Sequence, residues 1–152
     1  MPGLYFEQFE VGQEFVHGIR RTVTETDNLL FTTMTHNSAA LHLDAEYCKE
    51  TEFGQILVNS LFTLSLVVGI SVNDTTLGTT VANLGFGSIT FPKPVFIGDT
   101  LTVKTVVQAL RPSRSRPGQG IVTFEHSATN QRGETVVVAE RNALMLGGDS
   151  GN

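Results

Sequence analysis

Asn37 and His42 stand five residues apart in the segment Thr35-His36-Asn37-Ser38-Ala39-Ala40-Leu41-His42-Leu43. Imidazole is the side chain that takes up and releases a proton near neutral pH, which suits His42 to general acid/base work. Asn37 carries no titratable proton, so it can orient water or a substrate but cannot transfer a proton. An Asn in a loop is also an ordinary maker of turn hydrogen bonds. The segment shows no clear period and reads as irregular backbone, a usual setting for functional side chains. His36, between Thr35 and Asn37, reads as a loop residue outside the catalytic set.

Cationic groups come second. Arg111, Arg114 and Arg116 lie within six positions and make up three of the ten basic residues of an otherwise acidic chain. Such a loop is either a solvated hairpin tip or a phosphate contact. Lys93 sits between Pro92 and Pro94 near a strand, where a lysine also protects a sheet edge from pairing.

These residues need a scaffold to position them. Thr24 and Asp27 form a helix-opening box, and Leu29, Leu30, Thr33 and Met34 then recur at helical spacing, which predicts a helix from about Glu25 to Met34. Asp44 is a plausible N-cap for a short helix that Gly54 would end. Asn59 opens a third helix, Ser60 to about Val72, apolar around nearly its whole circumference and so expected to be buried on all sides. Asn73 to Thr76 reads as a polar break after it. His17 to Val23 reads as extended. Four long strands follow, Val81 to Phe91, Thr100 to Leu110, Gly120 to Thr129 and Glu134 to Leu146, separated by turn signals. Helices first and antiparallel strands afterwards make an α+β domain, with a curved sheet wrapped around the apolar helix.

The 152 residues suit one domain, expected over 1–152, and the 40% apolar and 16% charged composition is that of a globular protein. A net charge of -5 gives no global positive field for nucleic acid or an anionic membrane. The longest apolar stretch, Leu61 to Val72, is interrupted by small polar residues and falls short of the roughly 20 residues of a membrane span. The single cysteine, Cys48, allows no intrachain disulfide, and the first residues lack the features of a signal peptide, so a reducing cytoplasm is expected. No Gly-rich phosphate loop and no zinc-type Cys/His spacing occur, so neither a nicotinamide nor a metal is expected.

Leu41-His42-Leu43-Asp44, then Phe53 to Leu61, then Phe91-Pro92-Lys93-Pro94-Val95-Phe96-Ile97-Gly98-Asp99 form three landmarks in order. Together they resemble the MaoC-like dehydratases, the family of the (R)-specific enoyl-CoA hydratases, from about Val11 to Leu146. The resemblance implies a hot-dog fold, a long antiparallel sheet around a central helix, paired as a homodimer or a dimer-based oligomer. It also implies an acyl-CoA substrate, with coenzyme A present only as part of that substrate. His42 falls on the family's catalytic His, and Asn37 on its catalytic Asp, a departure from the pattern. Ser60 falls on the Gly whose backbone N–H is the oxyanion donor, a role that survives a change of side chain. Arg114, Arg116 and, more weakly, Lys93 become expected contacts to coenzyme A phosphates, with the arginines reaching across a dimer interface.

The implied reaction is reversible addition of water to an enoyl thioester, which needs a base, an acid and donors for an enolate-like oxygen. With Asn37 in place of the acid, His42 works alone, or Asp44 or Glu25 assists, or the substrate brings its own carboxylate. The THN string and the Ser115-Arg116-Pro117 loop are similar to those of mesaconyl-CoA and itaconyl-CoA hydratases, which favours the last. A hot-dog thioesterase is the alternative, disfavoured because no Asp or Glu is expected inside the central helix after Ser60. A non-catalytic acyl-CoA binding module is the other.

Overall fold

The structure is a computed structural model and describes residues 3–148; the expected domain of 1–152 therefore includes six terminal residues outside that range. The chain runs β1 (Glu14–Thr22), α1 (Glu25–Met34), α2 (Ala40–Leu43), α3 (Ala45–Lys49), α4 (Ser60–Thr75), β2 (Thr80–Thr90), β3 (Thr100–Pro112), β4 (Gly120–Thr129) and β5 (Thr135–Met145). The strands form one antiparallel sheet in the order β1-β3-β4-β5-β2. The sheet packs against α4, the hot-dog arrangement.

Local signals set most of these boundaries. Thr24 Oγ1 accepts the Asp27 N–H and Asp27 Oδ2 accepts the Thr24 N–H, a reciprocal cap at the start of α1. Arg21 on β1 also clasps Asp27 with both terminal nitrogens, at 2.6 and 2.8 Å. The Arg21 guanidinium, aided by the Thr24 hydrogen bonds, holds the Asp27 carboxyl well below the usual carboxylate range. Asp44 caps α3 by accepting the Tyr47 N–H.

Several expectations need correction. The segment holding His42 is not irregular throughout: Ala40–Leu43 closes one helical turn. The helix after Asp44 ends at Lys49, well before Gly54. The polar residues Asn73 to Thr75 do not break α4 but complete its last turn, where Thr75 Oγ1 donates to the Ser71 carbonyl. Nor is α4 buried on all sides, because the sheet covers only one side of it: Leu64, Val67 and Ile70 are buried, while Ser65 and Gly69 are exposed and Leu61 is 55% exposed. In α1 the helical spacing holds but the face is inverted. Asn28 and Thr32 are buried, whereas Leu29, Leu30, Thr33 and Met34 face outward.

The covered face of the sheet carries two apolar clusters. One joins Leu64, Val67 and Ile70 of α4 to Leu101, Val103, Ala128, Val137 and Ala139. The other joins Phe9, Val107, Val122, Phe124, Ala143 and Met145. Between them runs a polar row, with His17 from β1, Thr105 from β3, His126 from β4 and Arg141 from β5, all at most 5% exposed. The row has a fixed direction. Arg141 Nε can only donate, so His126 Nε2 accepts at 3.0 Å, and His126 Nδ1–H donates to Thr105 Oγ1 at 2.8 Å. The Thr105 hydroxyl donates to His17 Nε2 at 2.7 Å, and His17 Nδ1–H donates to Asp74 Oδ2 at the end of α4. Both ring nitrogens of each histidine are paired along the row, whereas one terminal nitrogen of Arg141, Nη2, has no partner among the described residues. Burial, then the Arg141 charge, then His17 push the His126 imidazole down to about 3, so it is neutral.

Candidate active site

A pocket of about 420 Å³ opens where α2, the N-terminus of α4 and the segment Phe91 to Val95 meet. His42, Ser60 and Lys93 line it together, with Leu41, Phe53, Leu57, Thr63 and Val95 among the other lining residues. Its position follows from the main chain. Leu57 N–H donates to the Leu41 carbonyl and Val58 N–H to the Val95 carbonyl, so the approach to α4 is threaded between α2 and the Pro94-Val95 segment.

His42 is half-buried, and its Nδ1–H donates to the Leu57 carbonyl at 2.6 Å. A main-chain carbonyl can only accept, so this bond assigns the ring proton to Nδ1 and leaves the Nε2 lone pair without a partner among the described residues. At the start of α4, Asn59 Oδ1 accepts the Leu61 N–H, while the Ser60 N–H has no acceptor among the described residues. Two residues that line the pocket therefore carry unpaired groups among the described residues, the His42 Nε2 and the Ser60 N–H at the positive end of a sixteen-residue helix.

The remaining expected residues are elsewhere. Asn37 does not line the pocket; its Oδ1 accepts the Ala39 N–H and its own N–H donates to the Thr32 carbonyl, which turns the chain into α2. Asp44 is engaged as a cap and Glu25 lies exposed in the first turn of α1, so neither acid lines the pocket. Asp74 does fall inside α4, contrary to the expectation of no acid there. It lies fourteen residues beyond Ser60, about 21 Å along the helix, and receives His17. Arg114 and Arg116 are exposed in the β3–β4 loop. Val136 at the pocket and Met145 near that loop lie at opposite ends of β5, separated by roughly 30 Å of strand.

Sequence reasoning missed Asn28. Buried in α1, it donates from Nδ2 to the His42 carbonyl at 3.0 Å and accepts the Asn59 N–H at Oδ1, at 2.9 Å. One side chain thus ties the residue bearing the imidazole to the cap of α4. Thr32 Oγ1 donates to Asn28 Oδ1 and accepts from Asn59 Nδ2, completing the junction. A polar pair at i and i+4 beside the Leu29 and Leu30 pattern was the available signal, and the apolar residues masked it. Thr63 was also missed: it lines the pocket, is 1% exposed, and its hydroxyl has no hydrogen-bond partner among the described residues.

Residues 7–130 match the family described as MaoC like domain. The chain is 34% identical over 137 residues to beta-methylmalyl-CoA dehydratase of Chloroflexus aurantiacus, covering 90% of this chain and 38% of that protein. It is 32% identical over 135 residues to mesaconyl-CoA hydratase of Cereibacter sphaeroides, covering 89% of this chain and 39% of that one. It thus spans about two fifths of the length of these curated relatives. Among solved structures, a monoamine oxidase regulatory protein from Archaeoglobus fulgius superposes with a TM-score of 0.87 at 32% identity, covering 97% of both chains.

Proposed function

Because the chain belongs to the MaoC-like domain family, we propose that it is a hydro-lyase that reversibly adds water to an enoyl-CoA thioester, with a C5 dicarboxylic acyl group as the preferred substrate. The observation that carries this reading is the free Nε2 of His42 sharing a pocket with the free N–H of Ser60.

His42 Nε2 takes a proton from water as the water oxygen bonds to the β-carbon. The π electrons of the C=C bond move toward the thioester, and negative charge develops on its carbonyl oxygen. The Ser60 N–H donates to that oxygen, where the helix dipole adds to its effect. The proton on Nε2 then passes to the α-carbon, so water has been added across the double bond and the imidazole is neutral again. With no acid in the pocket, His42 performs both transfers, and the Leu57 carbonyl stabilises the imidazolium between them. Asn37 acts one step back, by shaping the turn that presents α2. No cofactor enters beyond the coenzyme A of the substrate.

The substrate preference rests on the relatives named for mesaconyl-CoA and beta-methylmalyl-CoA and on a pocket lined by Lys93 with no carboxylate. The partner we propose is a second copy of the chain. β2 is an edge strand of eleven residues with Leu84, Phe86 and Ile89 exposed and Phe91 exposed just past its end, and α1 presents the exposed Leu29, Leu30 and Met34. A long apolar edge calls for a cover. Arg114 and Arg116, too far from the His42 pocket of their own chain, then serve a coenzyme A phosphate bound mainly by the second copy. Among the described residues no helix is long and apolar enough to cross a membrane. We assign the protein to the cytoplasm, where the buried, free Cys48 stays a thiol.

The test is hydration of crotonyl-CoA, mesaconyl-CoA and itaconyl-CoA, followed by loss of enoyl absorbance, by the parent and His42→Ala proteins. The substitution is expected to cost at least roughly 100-fold in turnover. Equal rates, thiol release without loss of the enoyl absorbance, or acyl-CoA binding with no turnover would each overturn the assignment.

A further inference from the structure

Thr63 lies one turn into α4 from Ser60 and lines the same pocket as His42 and Lys93. It is 1% exposed, and its Oγ1 has no hydrogen-bond partner among the described residues. Helical threonines usually satisfy the hydroxyl on the carbonyl one turn back, as Thr75 does with Ser71 in the same helix. Leaving a buried hydroxyl unpaired is unfavourable, so this one is explained by what enters the pocket.

The surroundings narrow the ligand chemistry. His42 Nε2 and the Ser60 N–H mark the reacting carbons and the thioester oxygen, and Thr63 is more deeply buried than either residue. The buried Val58, Val95 and Val136 are among the apolar residues that line the same pocket. A hydrocarbon acyl group would fit those walls and strand the hydroxyl; an acyl group with an anionic end would pair it. The lining contains one cation, Lys93, and no acid. The field of Lys93 also reaches Glu134, but that carboxylate is already held by Asn130 and Arg132.

We propose that Thr63 is the specificity-determining residue of the pocket, its hydroxyl donating to the carboxylate of a dicarboxylic enoyl thioester whose charge Lys93 balances. The inference rests on the hydratase reading above and adds the group that recognises the acyl end. Lys93 thereby serves the acyl carboxylate in place of a coenzyme A phosphate.

The experiment compares kcat/KM for mesaconyl-CoA with that for crotonyl-CoA, which has no second carboxylate, in the parent, Thr63→Val, Thr63→Ser and Lys93→Gln proteins, alongside urea unfolding. Thr63→Val is expected to lose about 10- to 100-fold on mesaconyl-CoA while crotonyl-CoA changes by less than about threefold. Thr63→Ser keeps the hydroxyl and the selectivity. Lys93→Gln is expected to lose about tenfold on mesaconyl-CoA, a deficit that shrinks at high salt. The urea midpoint of Thr63→Val should equal or exceed that of the parent, since no protein hydrogen bond is removed. Equal losses on both substrates, or no loss on either, would overturn the role of Thr63 while leaving the hydratase reading intact. A parent that hydrates crotonyl-CoA but neither dicarboxylic thioester would overturn the dicarboxylic reading and this proposal with it. Inactivity on every enoyl thioester would overturn the hydratase itself.

Discussion

His42 and His126 are the same side chain in opposite circumstances. Both ring nitrogens of His126 are occupied, one by Arg141 and one by Thr105, inside a row that continues through His17 to Asp74. His42 has one nitrogen fixed by the Leu57 carbonyl and one left open to a pocket. The difference shows that an imidazole becomes chemically useful through the hydrogen bond it does not make. A fully satisfied histidine holds strands together; a half-satisfied one has a defined tautomer and a lone pair to use.

The contrast can be broken most forcefully at His126. His126→Ala leaves Arg141 Nε unpaired, removes the donor to Thr105 Oγ1 and opens a cavity between the two apolar clusters, at a cost of about 3 to 5 kcal/mol in urea unfolding. A loss below about 1 kcal/mol would show that the row contributes little. His42→Ala should do the reverse. Its turnover falls at least roughly 100-fold, equivalent to about 2.7 kcal/mol of barrier, while unfolding changes by about 1 kcal/mol for the one hydrogen bond removed.

Asn28 tests whether a residue can belong to both classes. Asn28→Ala strands the Asn59 N–H and releases the His42 carbonyl, and is expected to cost about 2 kcal/mol in stability. Turnover should also fall about tenfold as the imidazole and the α4 N-terminus lose their common anchor. Normal turnover in a destabilised protein would reduce Asn28 to a packing role.

A further test is in pH. The folded-state value for His126, about 3, lies below the roughly 6.5 of an unfolded histidine, so the unfolded chain binds the proton first as pH falls. Stability from this group is present above about pH 6.5 and is lost on going down toward pH 3, by at most about 1.4 kcal/mol per unit. His17 and Arg141 flank the ring and Asp74 ends the row, and the Arg141 charge deepens the loss. The depressed Asp27 adds a similar loss only below about pH 4, so urea midpoints between pH 6.5 and 4.5 report mainly on the histidine. A flat profile there would contradict a neutral His126.

Elements encoded by neighbours in the chain were legible. Thr24 and Asp27 place the start of α1, and Asn59 the start of α4, because a cap is a bond between residues two or three apart. The four later strand runs were legible to within a residue or two for the same reason, since alternation is local, whereas β1 begins at Glu14, three residues before the expected His17. His42 and Ser60 were found through the order of three short strings, and the fold brings both into one pocket.

What local pattern could not supply is which way a side chain turns. Leu29, Leu30 and Met34 mark a helix but not its buried face, which is the one where Asn28 and Thr32 bond to His42 and Asn59. Asn37 has the right spacing from His42, yet the turn into α2 takes up its side-chain oxygen, Oδ1. Thr63 reads as one more helical residue until β5 and the Pro94-Val95 segment close around it. Residue types and caps are written along the chain, and so the chemistry available to this protein and most of its elements were determined there. Which polar groups end up paired depends on elements up to a hundred residues apart meeting in space, and that decided which histidine was left free to react.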